Sequence, residues 1–419
     1  MTVDFKKGLK ATELGYLPID WEVVKINDVA AVNVESLPNA TDEEYELEYI
    51  DISSIETTGE VSSTTNYKFK DSPSRARRKV KKGDLILSTV RPNLKAFALI
   101  NQNTENLICS TGFAVLQNRD NSTNQYLYQF ALSRFFEDQV NTLTVGSNYP
   151  AINSTEVKQL KLPLPPLPEQ RKIAEILTSV DETIESTRKV IEQTKKVKQG
   201  LLQELLTKGI GHTKFKKTEI GEIPEEWEVL KLEEVASIVD CKHRTPKYSS
   251  DGYPVVRPRD IKEEGVNLSE CIKAPYEEIL DLNENHKPVI NDILYSRNAT
   301  FGIGSIVKAD ELFAIGQDVC VISGVKLRGE FLFYLLNSPV VKKQLSLLSA
   351  GSTFKRINLK DIRKFKVPLI SNEEQEKIIS IFTSLEDTIG NESIKLVQLQ
   401  RLKKGLMQDL LTGTVRVKV

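Results

Sequence analysis

Cysteine is scarce and scattered: Cys109, Cys241, Cys271 and Cys320 form no Cys-x-x-Cys pair. That argues against a thiol zinc ribbon or a disulfide scaffold, and leaves buried thiols in a reducing compartment. The three histidines, His212, His243 and His286, are too few and too dispersed for a zinc site. Cys241-Lys242-His243 lacks a second ligand pair, so no metal is expected. No stretch approaches the roughly 18 apolar residues that span a bilayer. The opening Met1-Thr2-Val3-Asp4-Phe5-Lys6-Lys7 lacks the apolar core of a signal peptide. A soluble, cytoplasmic protein is therefore expected. Net charge is missing too: 57 Lys plus Arg against 58 Asp plus Glu leave −1 over 419 residues. A nucleic-acid binder usually carries a basic excess, but a total says nothing of where the charges sit.

Catalytic signatures are also absent. There is no Gly-Lys dipeptide and hence no Walker A loop, no Asn-Pro-Pro-Tyr, no Gly-x-Ser-x-Gly and no His-Glu-x-x-His. Phe301-Gly302-Ile303-Gly304 lacks the full glycine fingerprint of a cofactor loop and reads as a turn. Asp260-Ile261-Lys262 and Glu156-Val157-Lys158 are triplets too common to mark a nuclease. A stand-alone nuclease or methyltransferase is disfavoured; a structural adaptor that recruits proteins through a coil stays open.

What is present is one plan written twice. The two tryptophans, Trp21 and Trp227, sit 206 positions apart in Thr12-Glu13-Leu14-Gly15-Tyr16-Leu17-Pro18-Ile19-Asp20-Trp21-Glu22-Val23 and Thr218-Glu219-Ile220-Gly221-Glu222-Ile223-Pro224-Glu225-Glu226-Trp227-Glu228-Val229. Downstream the offset is 205. Lys161-Leu162-Pro163-Leu164 answers Lys366-Val367-Pro368-Leu369, and Lys198-Gln199-Gly200-Leu201 answers Lys403-Lys404-Gly405-Leu406. Each half is a divergent globular segment followed by a well-matched tail.

The tails have a helical period. Steps of four and three from Ile173 meet Leu177, Val180, Ile184, Thr187, Ile191, Thr194, Lys198, Leu201 and Leu205. From Ile378 they meet Phe382, Leu385, Ile389, Glu392, Leu396, Leu399, Lys403, Leu406 and Leu410. This is the 3.5-residue seam of a coiled coil. Pro165-Pro166-Leu167-Pro168 blocks helix upstream, and Pro168 suits a first turn. Ser371 heads a Ser-x-x-Glu capping box. Gly209 and Gly413 are stop signals. About 40 residues give helices roughly 60 Å long. Gly200 and Gly405, matched within them, suggest a close backbone approach or a partner contact. The two helices bury their stripes most simply against each other, with pairing to another chain as the alternative.

Residues 1–165 and 214–370 read as mixed α and β. Gly83 to Val90, Phe113 to Leu116, Asn291 to Ser296 and Val319 to Ile322 look like strands, while Tyr126 to Val140 and Phe331 to Leu348 have helical spacing. Basic residues cluster here. Arg75 to Lys82 holds six cations in eight residues, and Lys242 to Lys247, Arg257-Pro258-Arg259 and Lys355-Arg356 follow. Such clusters suit phosphate contacts, though a solvated face is the commoner use.

Ile220-Gly221-Glu222-Ile223-Pro224-Glu225-Glu226-Trp227 with its first copy, Pro163-Leu164-Pro165-Pro166-Leu167-Pro168-Glu169-Gln170-Arg171-Lys172-Ile173-Ala174, and the Lys-x-Gly-Leu-[Leu/Met]-Gln-[Glu/Asp]-Leu-Leu-Thr helix ends resemble the specificity subunit of type I restriction–modification enzymes. The resemblance spans nearly the whole chain. One departure is Leu369-Ile370-Ser371-Asn372-Glu373-Glu374, which lacks the proline run. The resemblance implies an α+β fold in which two target recognition domains are separated by two long helices packed as an antiparallel intramolecular coiled coil, an internal pseudo-twofold repeat. The expected division is 1–165 for the first recognition domain, 166–213 for the first helix, 214–370 for the second domain and 371–419 for the second helix.

It further implies that each domain reads one half of a split double-stranded DNA site. The helices set the spacer and dock methyltransferase subunits, two by expectation, and motor–nuclease subunits complete a restriction enzyme. The chain itself would be non-catalytic and hold no cofactor; S-adenosylmethionine, ATP and Mg²⁺ belong to the partners. Base edges are read by Arg, Lys, Asn and similar groups. The expected DNA contacts are Arg75, Arg77, Arg78, Arg91, Asn93 and Asn148 in the first domain. In the second they are Arg244, Lys247, Arg257, Arg259, Arg297, Lys355 and Arg356. The expected coil or partner positions are Ile173, Leu177, Val180, Ile184, Gly200, Leu201, Leu205, Ile378, Phe382, Leu385, Ile389, Gly405, Leu406 and Leu410.

Overall fold

A computed structural model of the chain describes residues 8–55, 59–144, 150–298, 300, 302–349 and 356–418. The two tails are uninterrupted helices, Leu167–Lys208 and Asn372–Leu411. The first begins against the proline run, with Pro168 in its opening turn. The second is capped by the Ser371 hydroxyl, which accepts from the Glu374 N–H at 3.3 Å. Beyond each helix lies a left-handed glycine, Gly209 at φ 65° and Gly413 at φ 66°, a conformation that a Cβ disfavours.

Two compact units result, Met1–Lys189 with Glu392–Val419, and Val190–Asn391. Each unit holds part of both helices, so the recognition-domain and helix boundaries drawn on the sequence are not those of the compact units.

In the first unit a four-stranded sheet runs in the order Ala30–Val32, Phe113–Asn118, Leu85–Ser88, Phe97–Leu99. Phe113 lies opposite Ser88 and Leu116 opposite Val32. A second sheet contains Thr65–Lys68, Glu46–Ile50, Leu107–Ser110 and Ala76–Lys79 in that order. The helical stretch after Asn118 is two helices, Asn124–Ala131 and Arg134–Leu143, because the Ser133 side chain caps the second. Ile173 and Leu177 of the first long helix share a core with Trp21, Leu162, Leu410 and Leu411. Farther along that helix Asp181 pairs with Lys403 at 2.5 Å. Moving up one helix moves down the other, so they are antiparallel.

The second unit repeats the pattern within itself. Its four-stranded sheet runs Ala236–Asp240, Val319–Gly324, Ile293–Ser296, Gly304–Ile306. Val319 lies opposite Ser296 and Ile322 opposite Ile238. The second sheet has three strands, Ile272–Ala274, Tyr253–Val256 and Ala314–Ile315. Pro339, which has no N–H to continue a helix, separates Gly329–Leu336 from Pro339–Ser349. Leu205 and Leu206 share a core with Trp227, Ile378 and Phe382, and Lys198 pairs with Glu386 at 2.8 Å.

The helix seam follows the sequence period closely. No position on either walk, from Ile173 to Leu205 or from Ile378 to Leu410, is exposed. Its two lysines are explained by their acids: Lys198 with Glu386 and Lys403 with Asp181 are the same pair in the two copies. Such half-buried pairs favour one helix register over a slipped one. Gly200 and Gly405 do not follow expectation in one respect. Both are exposed, and a Cβ built on either meets nothing within 4 Å. Among the described residues no intramolecular approach accounts for them.

Candidate nucleic-acid interface

Loops gather at one end of each unit's four-stranded sheet, where strand turns leave backbone groups to be satisfied by neighbouring segments. In the first unit the Thr111 N–H donates to the Arg75 carbonyl at 2.8 Å, and the Arg91 N–H donates to the Pro150 carbonyl at 2.8 Å. Val90 also bridges Ala151. The loop between strands Leu85–Ser88 and Phe97–Leu99 is tightly wound: Arg91 (φ 47°) and Lys95 (φ 53°) are left-handed and flank a 3₁₀ turn at Pro92–Leu94. Non-glycine residues in that region store strain, which often marks functional loops. Arg75, Arg91 and Asn93 are exposed there.

Arg77 and Arg78 are different. Both are half-buried on the strand Ala76–Lys79. Arg77 stacks over Phe69 at 4.6 Å. Arg78 donates to Asn33 Oδ1 at 2.8 Å and to Ser154 Oγ at 3.4 Å; burial lowers its guanidinium pKa. These two brace the unit. Asn148 lies outside the described residues.

In the second unit four expected residues converge. The Arg297 N–H donates to the Asp318 carbonyl at 2.8 Å, and the Ile357 N–H donates to the Arg297 carbonyl at 3.0 Å. Thr300 Oγ1 donates to the Pro258 carbonyl, bringing Arg257 and Arg259 to the same end. Arg259 and Arg356 are exposed. Arg356 pairs with Asp318 at 2.8 Å, while Arg257 is held by Asp260, its Nε 3.2 Å from Oδ2. Arg297, expected on the surface, is inside, at 4% exposure, with its guanidinium on Asp240.

Arg244 sits apart. It grips the helix Tyr276–Leu282 through Glu278 at 2.6 Å and Asp281 at 2.7 Å. Lys242 holds the same Asp281 at 2.7 Å. Lys242 and Arg244 together keep the Asp281 carboxyl below its ordinary value, so these cations are already answered by acids. Lys247 is exposed, and Lys355 lies outside the described residues.

Sequence reading missed the acids that organise these cations, Asp240 and Asp318. Asp240 ends a strand and Asp318 precedes one, positions at which a short acid commonly satisfies loop donors. It also missed Glu169 and Glu374. The indole N–H groups of Trp21 and Trp227 donate to them at 3.0 Å each. Their recurrence at the 205-residue offset was the available signal.

Residues 18–196 and 224–401 each match the family described as the type I restriction modification DNA specificity domain. The chain belongs to that family. It is 31% identical to the type I restriction enzyme MjaVIII specificity subunit of Methanocaldococcus jannaschii, over 96% of this chain and 94% of that one. It is 29% identical to the EcoBI specificity subunit of Escherichia coli, over 62% of this chain and 58% of that one. A solved chain from work on complex assembly and conformational transition of the type I R-M system covers 95% of this chain and 99% of itself. Its identity is 24% and its TM-score 0.62, which shows a shared fold. As a type I specificity subunit the chain is a DNA-recognition component and not a catalytic one. Among the described residues no helix is long and apolar enough to cross a membrane.

Proposed function

We propose that each unit reads one half of a bipartite duplex site through the loops at the end of its four-stranded sheet. Arg75, Arg91 and Asn93, with Asn148 from the adjoining segment, serve the first half-site. Arg259 and Arg356, with Lys355, serve the second, and the exposed Lys247 adds a cation from outside that loop cluster. The carrying observation is the matched loop cluster: the Thr89 and Arg297 carbonyls accept from Ile152 and Ile357 at 2.9 and 3.0 Å in their own units. Equivalent scaffolds with unlike loops suit two unlike half-sequences.

The paired long helices set the unread spacer. They dock methyltransferase subunits, two in the assembled methylase, and motor–nuclease subunits join to form the restriction enzyme. Gly200 and Gly405, exposed with open space above them, belong to this docking face. The complex works in the cytoplasm. Alone, the chain binds DNA weakly, since its net charge is −1, and with a strong salt dependence set by the phosphates that its clustered cations contact.

The test is methylation mapping in cells carrying the chain and its methyltransferase. Exchange of residues 1–165 changes one half-site only, and matched insertions in both helices change the spacer only. A recognition sequence indifferent to both changes refutes the reading.

A further inference from the structure

Arg297 makes a closed set of contacts. Its backbone carbonyl accepts from the Ile357 N–H at 3.0 Å, and its side-chain Nε donates to the Ile357 carbonyl at 3.2 Å. Both polar groups of one peptide neighbourhood are thus gripped by one residue. The guanidinium continues to Asp240. That carboxylate is itself fixed by the Cys241 N–H at 2.9 Å and by His243 Nε2 at 3.1 Å. Ile357 is buried at 2% and follows directly after Arg356, which is half exposed. Arg356 in turn rests on Asp318, the left-handed residue (φ 64°) whose other oxygen takes Asn298 Nδ2 at 3.3 Å.

At the position of Arg297 the first unit carries an uncharged side chain. Thr89 stands where Arg297 does, accepting from Ile152 at 2.9 Å, and its hydroxyl donates to the Gly112 carbonyl at 2.9 Å. Gly112 occupies the position of Asp318, each preceding the strand residue opposite Ser88 or Ser296. The Arg297–Asp240 pair is therefore particular to the second unit; the first ties Asn33 to Ser154 through Arg78 instead.

We propose that Arg297 never touches DNA and is a positioning residue: with Asp240 it clamps Ile357 and thereby aims Arg356, which Asp318 holds ready for a phosphate or base edge. This rests on the reading of the second unit as a half-site reader. A carboxylate that holds a half-exposed guanidinium keeps it ordered before binding, and yields it to the stronger charge of a DNA backbone.

The experiment uses the chain assembled with its methyltransferase subunits and a duplex carrying the mapped bipartite site. Dissociation constants are measured across a range of salt, with the second half-site intact or scrambled. Arg356→Ala weakens binding to the intact site by about tenfold and lowers the salt slope by about one. The double variant Arg297→Thr with Asp240→Asn removes one charge of each sign, so no orphaned carboxylate is left to unfold the unit. It copies the first unit's residue at Arg297, and it reproduces the loss seen with Arg356→Ala. Adding Arg356→Ala to it costs nothing further in affinity or slope, because the aimed contact is already gone. A further tenfold loss with a second unit of slope would mean that Arg297 contacts DNA directly, and overturns the proposal. So does a double variant that binds like the parent. If scrambling the second half-site leaves the parent's affinity unchanged, the half-site reading itself has failed.

Discussion

The indole N–H of Trp21 donates to Glu169 Oε2 across 3.0 Å, joining residues 148 positions apart; Trp227 and Glu374 repeat the bond at 3.0 Å. Each long helix thus hangs by its first turn from the tryptophan of its unit. A charged acceptor makes such a bond strong. Trp21→Phe therefore costs the first unit about 2 kcal/mol. The variant also leaves Trp227 as the sole indole. Denaturant unfolding followed by fluorescence then reports the second unit, whose midpoint stays put. Labelling of Cys109 reports the first, whose midpoint falls.

The tail after the second helix secures the first node. Arg416 donates to both Asp20 oxygens, at 2.9 and 2.8 Å, and to both Glu169 oxygens, at 2.8 Å each. Hydrogen bonding to Arg416 holds the Asp20 carboxyl below its ordinary value. A lowered carboxyl stabilises the native state above its unfolded pKa of about 4, and that contribution is lost as pH falls through the lower folded value. Arg416→Gln removes this share of the acid limb. Its unfolding midpoint should differ from the parent's at pH 6, and the difference should shrink as pH falls through the lowered Asp20 titration. Curves that stay parallel down to pH 2 would refute the assignment.

Glycine substitutions should split by sign. A Cβ on Gly209 would stand 2.3 Å from Glu374 Oε1 and 2.6 Å from Trp227 Cζ2; on Gly413 it would stand 2.4 Å from Pro18 Cγ. Both residues are also left-handed. Gly209→Ala and Gly413→Ala lose about 1–2 kcal/mol from conformation alone, and more from the clash. Gly200→Ala and Gly405→Ala fill open space in exposed helix and gain about 0.5–1 kcal/mol. Thermal unfolding of the four variants checks the order. Weaker methyltransferase assembly by the last two would place the partner over those glycines.

The thiols should be silent in the native state. Burial pushes Cys109 up to about 12 and Cys271 up to about 11, and raises Cys241 and Cys320. At pH 8 little thiolate exists to react. Disulfide-exchange reagents should label the chain only as fast as each unit opens. The sign for stability is the reverse of the acid case. Raised thiols favour the native state below the unfolded value near 8.5, and that contribution fades as pH climbs toward the folded values. Prompt labelling of Cys109 in the folded protein at pH 8 would contradict its burial.

The repeat, the two helices and their seam were legible because periodicity and duplicated rare residues survive divergence. None of the walk positions from Ile173 to Leu205 or from Ile378 to Leu410 is exposed, Lys198 and Lys403 included. The loops were less legible. Arg297 and Arg356 look alike in sequence, yet one is buried and the other exposed. The difference lies in Asp240 and Ile357, 57 and 60 residues away from Arg297 along the chain. Arg244 likewise reads as a free cation until the helix Tyr276–Leu282 supplies its acids. Local pattern reports which face of a helix is apolar. It does not report which carboxylate a loop cation will meet.

The division of the long helices has a consequence for the order of events on the ribosome. The second unit is one continuous stretch, Val190–Asn391, whereas the first needs Glu392–Val419 to be whole. Leu410, Leu411 and Arg416, which complete the setting of Trp21, are made only after all of the second unit. The unit that emerges earlier must therefore wait, its tryptophan core open, until Glu392–Val419 has followed the second unit. The half that follows can close before it.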